Sequence, residues 1–219
     1  MTAPRARPAQ QPPPEAAVLR TGLPRVGPSR RLYREHGLRE GDDGGCWWFA
    51  SSGDGRFDLE DPHGTCYFGG TEGVAVRERC GRLMAMQIPI TERLYAGRVV
   101  SEVCAPESAG ALADLTSPAA LMVGVTGELA ATSDYALCQA WARACWDAGF
   151  GGLRYPPRFT PGGKEAAFAI FGDEGHHPDP GVLRRRDLLD VLQELGYPAV
   201  RSDELGSTTL DIQDNAEPV

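Results

Sequence analysis

The chain has no C-x-x-C pair, although it holds six cysteines, at 46, 66, 80, 104, 138 and 145. None of its four histidines stands at a metal-finger spacing from them, which excludes the common structural zinc patterns. His176 and His177 are adjacent, share no helix face and have no third ligand in the sequence, so no metal is expected. The cysteines read instead as free, mostly buried thiols of a reducing compartment. No signal-type apolar segment opens the sequence and no apolar run is long enough to cross a bilayer. A cytoplasmic protein is the expectation. Cations are also short: 22 Lys and Arg against 30 Asp and Glu give a net charge of −8 and a pI near 5.0. That balance argues against a nucleic-acid binder or an anionic-membrane binder, because both need a cationic face. It leaves room for a local arginine pocket. There is no G-x-G-x-x-G opening a helix, no Walker sequence, no G-x-S-x-G and no internal repeat.

What is present suffices for one domain. The length is 219 residues and 42% of them are hydrophobic, enough to build a core between tails. Residues 1–29 contain seven prolines and little apolar periodicity, and read as a disordered Pro/Arg-rich arm. Residues 30–200 read as the folded domain, and 201–219 as an acidic flexible tail.

The densest information lies between Gly55 and Glu78. Arg56, Tyr67 and Glu78 stand at equal spacings of eleven residues, among five glycines. Thr65-Cys66-Tyr67-Phe68 reads as a strand. Thr71 is a helix N-cap, and Glu78 falls in the second turn of a helix over 72–83. Strand, turn and helix would carry three side chains to one rim.

Around this stretch, Leu32-Tyr33 begins a strand. Cys46-Trp47-Trp48-Phe49 reads as core packing, with Trp48 as an alternative stacking wall for a flat ring. A strand is expected over 94–103 and a helical turn over 111–115. Ser133 reads as the cap of an amphipathic helix over 134–148, stopped by Gly149. Residues 152–155 and 166–171 are short strands able to pair. Arg184-Arg185-Arg186 reads as a solvated face ahead of a helix over 187–195. Short strands and few helices in mixed order favour an α+β fold.

Arg34 and Arg56 supply planar forks of donors that match phosphate oxygens, and Tyr67 offers a ring face. One carboxylate, Glu78, can stabilise positive charge developing at a sugar carbon. When the leaving group is already cationic, as nicotinamide is in NAD, no acid is needed to protonate it.

From about Leu32 to Gly172 the sequence resembles the RES domain family. The matching pieces are Leu32-Tyr33-Arg34, Gly55-Arg56-Phe57, Gly64-x-x-Tyr67 and Ala75-x-x-Glu78. They continue with Gln139, Gly149-Phe150-x-Gly152-Leu153-x-Tyr155-Pro156-x-Arg158 and Ala169-Ile170-Phe171-Gly172. The resemblance implies a small mixed, split sheet with flanking helices around a cleft, similar to ADP-ribosyltransferases. It implies an NAD glycohydrolase or phosphorylase, with NAD as substrate, water or inorganic phosphate as acceptor, and no cofactor. An antitoxin partner is implied for the toxin members, and a homodimer is compatible. Transfer of ADP-ribose to another molecule, or nucleotide binding without chemistry, are the alternatives. Carried over, Arg34 and Arg56 would grip phosphate, Tyr67 would line the nicotinamide–ribose pocket, and Glu78 would be the essential carboxylate. Phe57, Trp48, Tyr155 and Thr160 would contact substrate. The resemblance also implies a serine after the Tyr-Pro pair, where this chain has Pro157, with Thr160 the nearest hydroxyl.

Overall fold

Apolar residues alternate or run together in short segments, and a computed structural model turns most of them into strands. It describes residues 10–38, 45–105, 109–177 and 181–200. In chain order these form α1 (Ala16–Gly22), β1 (Arg25–Val26), β2 (Leu32–Gly37), β3 (Trp48–Phe49), β4 (His63–Gly69) and α2 (Glu72–Ala85). There follow β5 (Ile90–Thr91), α3 (Glu92–Tyr95), β6 (Arg98–Val103), β7 (Leu112–Asp114), a 3-10 helix (Pro118–Val123) and α4 (Glu128–Ala131). The rest are α5 (Tyr135–Asp147), β8 (Gly152–Tyr155), β9 (Ala167–Asp173), β10 (Gly175–His176), β11 (Val182–Asp187), α6 (Leu188–Glu194) and β12 (Ala199–Val200).

Eight strands make one sheet in the order β1-β7-β8-β9-β4-β2-β6-β11. Only β7 and β8 run parallel within it, so the sheet is mixed. β4 pairs with β9 along its full length, from His63↔Asp173 to Gly69↔Ala167. β4 and β2, by contrast, meet only at Tyr33↔Gly69. The sheet is therefore two halves hinged on a single residue pair. A strand edge freed from pairing opens space for a ligand, and this split positions the site.

Each half buries apolar side chains of its own, and a third cluster holds Leu32 and Val103 together with Phe68 and Ile170 across the split. α5 lays Cys138, Trp141, Ala142 and Cys145 against Leu153 and Ala169. α2 and α6 sandwich Val76, Val100, Val191 and Leu192 on the other half. None of the six cysteines is in a disulfide, and five of them are buried. Among the described residues no helix is long and apolar enough to cross a membrane.

Five expectations are corrected. Residues 10–29 are not a disordered arm. α1 buries Leu19 completely, Leu23 follows it into the same core, and β1 extends the sheet edge along β7. Gln10 is anchored as well: its amide nitrogen donates to Gly124 O at 2.9 Å and its oxygen accepts from Thr126 N at 2.9 Å. A few apolar side chains were enough to dock a proline-rich segment that lacks periodicity. Residues 94–103 begin as helix α3, and only from Arg98 are they strand. Residues 112–114 are strand, not a helical turn, because β8 and β1 offer pairing on both sides. The cap of α5 is Asp134, whose side chain accepts from Leu137 N at 3.1 Å, and not Ser133. Arg184 and Arg185 are exposed in β11, but Arg186 bonds Glu72 at 2.9 Å and also reaches Glu194. The expected tail over 201–219 and residues 1–9 lie outside the described residues.

Candidate active site

Where β2 and β4 part, a cleft of about 1050 Å³ opens. Arg34 on β2, Tyr67 on β4, Glu78 on α2, Tyr155 at the end of β8, and Arg56 in the loop before β4 all line it. One face of α2 forms a wall: Ala75, Glu78, Arg79, Arg82, Ala85 and Met86 recur at three- and four-residue steps. At 1.5 Å per residue that wall is about 16 Å long. Thr71 starts the helix by accepting from Val74 N at 3.2 Å, which fixes the rotation that turns Glu78 inward.

Tyr67 is held by its hydroxyl. It donates to Asp58 Oδ1 at 2.7 Å and accepts from Phe57 N at 2.8 Å. Asp58 is buried and also accepts from Gly55 N at 2.9 Å. A Cβ on Gly55 would overlap Asp58 Oδ1 and the Tyr67 hydroxyl, so this turn needs glycine for close approach. Burial, and after it the Asp58 charge, raise the Tyr67 phenol well above its ordinary value of 10.0. Tyr67 is thus a fixed neutral ring and not a base.

Arg34 is anchored from behind. Its Nη1 donates to the carbonyls of Cys46 at 2.6 Å and Trp48 at 3.1 Å, and it also contacts Cys66 Sγ. Arg56 donates to the carbonyl of Thr132, lies over the Tyr135 ring at 5.0 Å, and faces Glu78. This pins the Thr132–Tyr135 turn against the cleft and brings Ser133 to its lining. The cleft therefore contains a serine hydroxyl, from the turn ahead of α5. Pro157, at the place where the resemblance put the serine, is buried.

Glu78 is half-buried, and desolvation raises its carboxyl above the ordinary 4.5. Opposing this, the backbone N–H of Phe159 donates to its Oε1 at 3.5 Å, the Arg158 amide faces it, and the Arg56 and Arg158 charges favour ionisation. Burial also keeps the neighbouring Tyr155 phenol well above 10.0, with the Glu78 charge adding to the effect. The Tyr155 hydroxyl accordingly remains a donor.

Three expected contacts lie elsewhere. Trp48 is 42% exposed in β3 and does not line the cleft. β3 pairs with β10, and Trp48 is exposed there while Trp47 takes the core position. Phe57 is fully buried and packs edge-on against Tyr155, with ring centroids 4.9 Å apart. It supports the wall and lines a second cavity of about 300 Å³ behind it. Thr160 accepts from Arg77 Nε at 2.9 Å on the outer side of α2.

The sequence reading missed Asp58, Arg82, Ser133 and Tyr135, and treated Arg158 only as a motif position. Arg82 was accessible, standing four residues after Glu78 on the expected helix and hence on the same face. Asp58 could have been suggested by its position three residues after Gly55. Nothing in Thr132-Ser133-Asp134 says which hydroxyl or carboxylate caps the helix and which turns to the cleft.

A family model described as RES domain matches residues 31–188. No curated protein matches the chain. Among solved structures, a chain of the crystal structure of the M. tuberculosis MbcT–MbcA toxin–antitoxin complex is similar, with a TM-score of 0.62 at 19% identity. The match covers 82% of this chain and 95% of that one. At such identity the likeness speaks for the fold.

Proposed function

Since the chain belongs to the RES domain family, we propose that it consumes NAD by breaking the bond between nicotinamide and ribose. The observation that carries this reading is the convergence at the sheet split of a single carboxylate, Glu78, with Arg56, Tyr155 and Tyr67. In the reaction the C–N bond breaks with its electron pair leaving on nicotinamide, which departs neutral. The ribose carbon becomes oxocarbenium-like, and Glu78 stabilises that charge across the desolvated cleft. Tyr67 and Tyr155 give ring faces for the flat leaving group.

Pyrophosphate recognition passes from Arg34 to Arg82 and Arg158. Both line the cleft and have no carboxylate within ion-pairing distance among the described residues. Arg34 keeps a structural role through the carbonyls it binds. The acceptor is water or inorganic phosphate, and Ser133 supplies a hydroxyl able to orient it.

A toxin role, with an antitoxin as protein partner, is supported by the likeness to the MbcT–MbcA complex. In this reading the antitoxin would cover the mouth of the cleft.

The test is to incubate the protein with NAD, with and without inorganic phosphate, and identify the products by mass spectrometry. Free nicotinamide is expected, with ADP-ribose if water accepts and its 1-phosphate if phosphate does. Intact NAD after long incubation would refute the reading. Because burial raises the Glu78 carboxyl, the acid limb of the activity profile should lie above pH 4.5, the ordinary value for glutamate.

A further inference from the structure

Helix α2 carries two interior glycines, Gly73 and Gly81, although glycine weakens a helix. What lies over them accounts for both. A Cβ on Gly73 would come 3.0 Å from Arg77 Nη1, and one on Gly81 would overlap Cβ and Cγ of Phe159. The helix is bare at the two places where Arg77 and Phe159 lie against it.

Arg77 then reaches three separate segments. Nε donates to Thr160 Oγ1 at 2.9 Å, Nη1 to the Tyr197 hydroxyl at 3.2 Å, and Nη2 to Glu165 Oε2 at 2.5 Å. The other Glu165 oxygen accepts from the cap residue Thr71 at 2.7 Å. Thr160 directly follows Phe159, whose N–H meets Glu78. Arg77 and Glu78 adjoin in sequence, but the helical turn of about 100° per residue sends one outside the cleft and the other into it.

We infer that Arg77 and Thr160 are positioning residues that clamp the 158–160 turn onto α2 and so hold its amides on the Glu78 carboxylate. The inference rests on the reading of Glu78 as the working acid. The groups facing that carboxylate are Arg56 from the loop before β4, Arg158 from the clamped turn, and Tyr155 from β8, with Arg79 and Arg82 along its own helix. Releasing the turn would remove the two amide donors and displace the Arg158 charge. Burial would then act unopposed by them, and the carboxyl would take up its proton at higher pH.

The experiment follows the Glu78 side-chain carboxyl by carbon NMR titration in the full chain, with Glu78→Gln giving the assignment. Thr160→Val, Thr160→Ser and Arg77→Met are compared with wild type, alongside the pH profile of nicotinamide release. Thr160→Val and Arg77→Met are expected to titrate at higher pH, with the acid limb moving the same way and about tenfold lower release near that limb. Thr160→Ser, which restores the hydroxyl, should coincide with wild type. Unchanged titration in folded Thr160→Val overturns the clamp, and that near-isosteric variant decides even if Arg77→Met fails to fold. If wild type releases no nicotinamide, the proposed reaction fails, while the titration still decides the clamp.

Discussion

On the strand side of the cleft, Arg34 and Tyr67 direct polar atoms back into the protein, onto the Cys46 and Trp48 carbonyls and onto Asp58. On the helix side, Glu78 and Arg82 line the open space, and Arg82 has no ion pair among the described residues. The first wall resembles a core that happens to face a cavity. The second presents charged groups to the open space. Under the proposed reaction, fixed rings on one side would reduce the reorganisation the chemistry demands, and charged groups on the other would supply the binding. Substitutions on the strand wall should therefore cost stability, and those on the helix wall activity.

The largest separation is expected at Glu78. Glu78→Gln should lower nicotinamide release by roughly a thousandfold, the scale seen when a transition-state electrostatic group is removed. The same change should raise the melting temperature at neutral pH. The sign follows from the raised carboxyl: the fold favours its protonated form, so stability is highest below 4.5, the unfolded value, and falls as pH rises through the folded value. A neutral amide removes that loss. Calorimetry beside the activity assay tests both, and a fall in melting temperature would blur the contrast between the walls.

Next comes Asp58. Asp58→Ala leaves the Tyr67 hydroxyl and the Gly55 amide without their acceptor, at a cost of about 3 kcal/mol for a broken buried network. Denaturant unfolding reads it directly. A smaller effect belongs to Arg82: Arg82→Ala should raise KM for NAD about tenfold, the worth of one charge-assisted contact, and leave stability unchanged. If stability falls and KM holds, Arg82 belongs with the strand wall instead.

The two walls also differed in how legible they were from sequence. α2 could be read almost whole, because its cap, its 3–4 spacing and Glu78 are local properties of one segment. The pairing of β8 with β9 was equally accessible from two short apolar runs. β7 was not, because Leu112–Asp114 is strand only by virtue of neighbours far away in sequence. The docking of 10–29 escaped for a related reason. Leu19 and Leu23, with the hydrogen bonds of Gln10 and the pairing of β1, anchor a segment whose composition otherwise reads as unfolded. Within the site, Glu78, Arg56 and Tyr67, singled out by their spacing and by the family resemblance, line one cleft. The partners of those side chains were invisible, because hydrogen bonding to Asp58 or to the Cys46 carbonyl depends on how the segments ahead of β4 and β3 fold back on the strands.

Trp48 gives the smallest expected effect and a sharp boundary to the comparison. An indole in the neighbourhood of the cleft invites a stacking role, and a stacked ring would contribute on the order of 1 kcal/mol to binding. Its position argues otherwise. Its backbone carbonyl serves Arg34, which a side-chain substitution leaves in place, while the ring lies outside the cleft lining. Trp48→Ala should therefore leave KM within about twofold and change stability by less than about 1 kcal/mol, as expected for an exposed side chain. A severalfold rise in KM would mean that the ligand extends past Arg34 to the β3 surface, and that the strand wall takes part in binding after all.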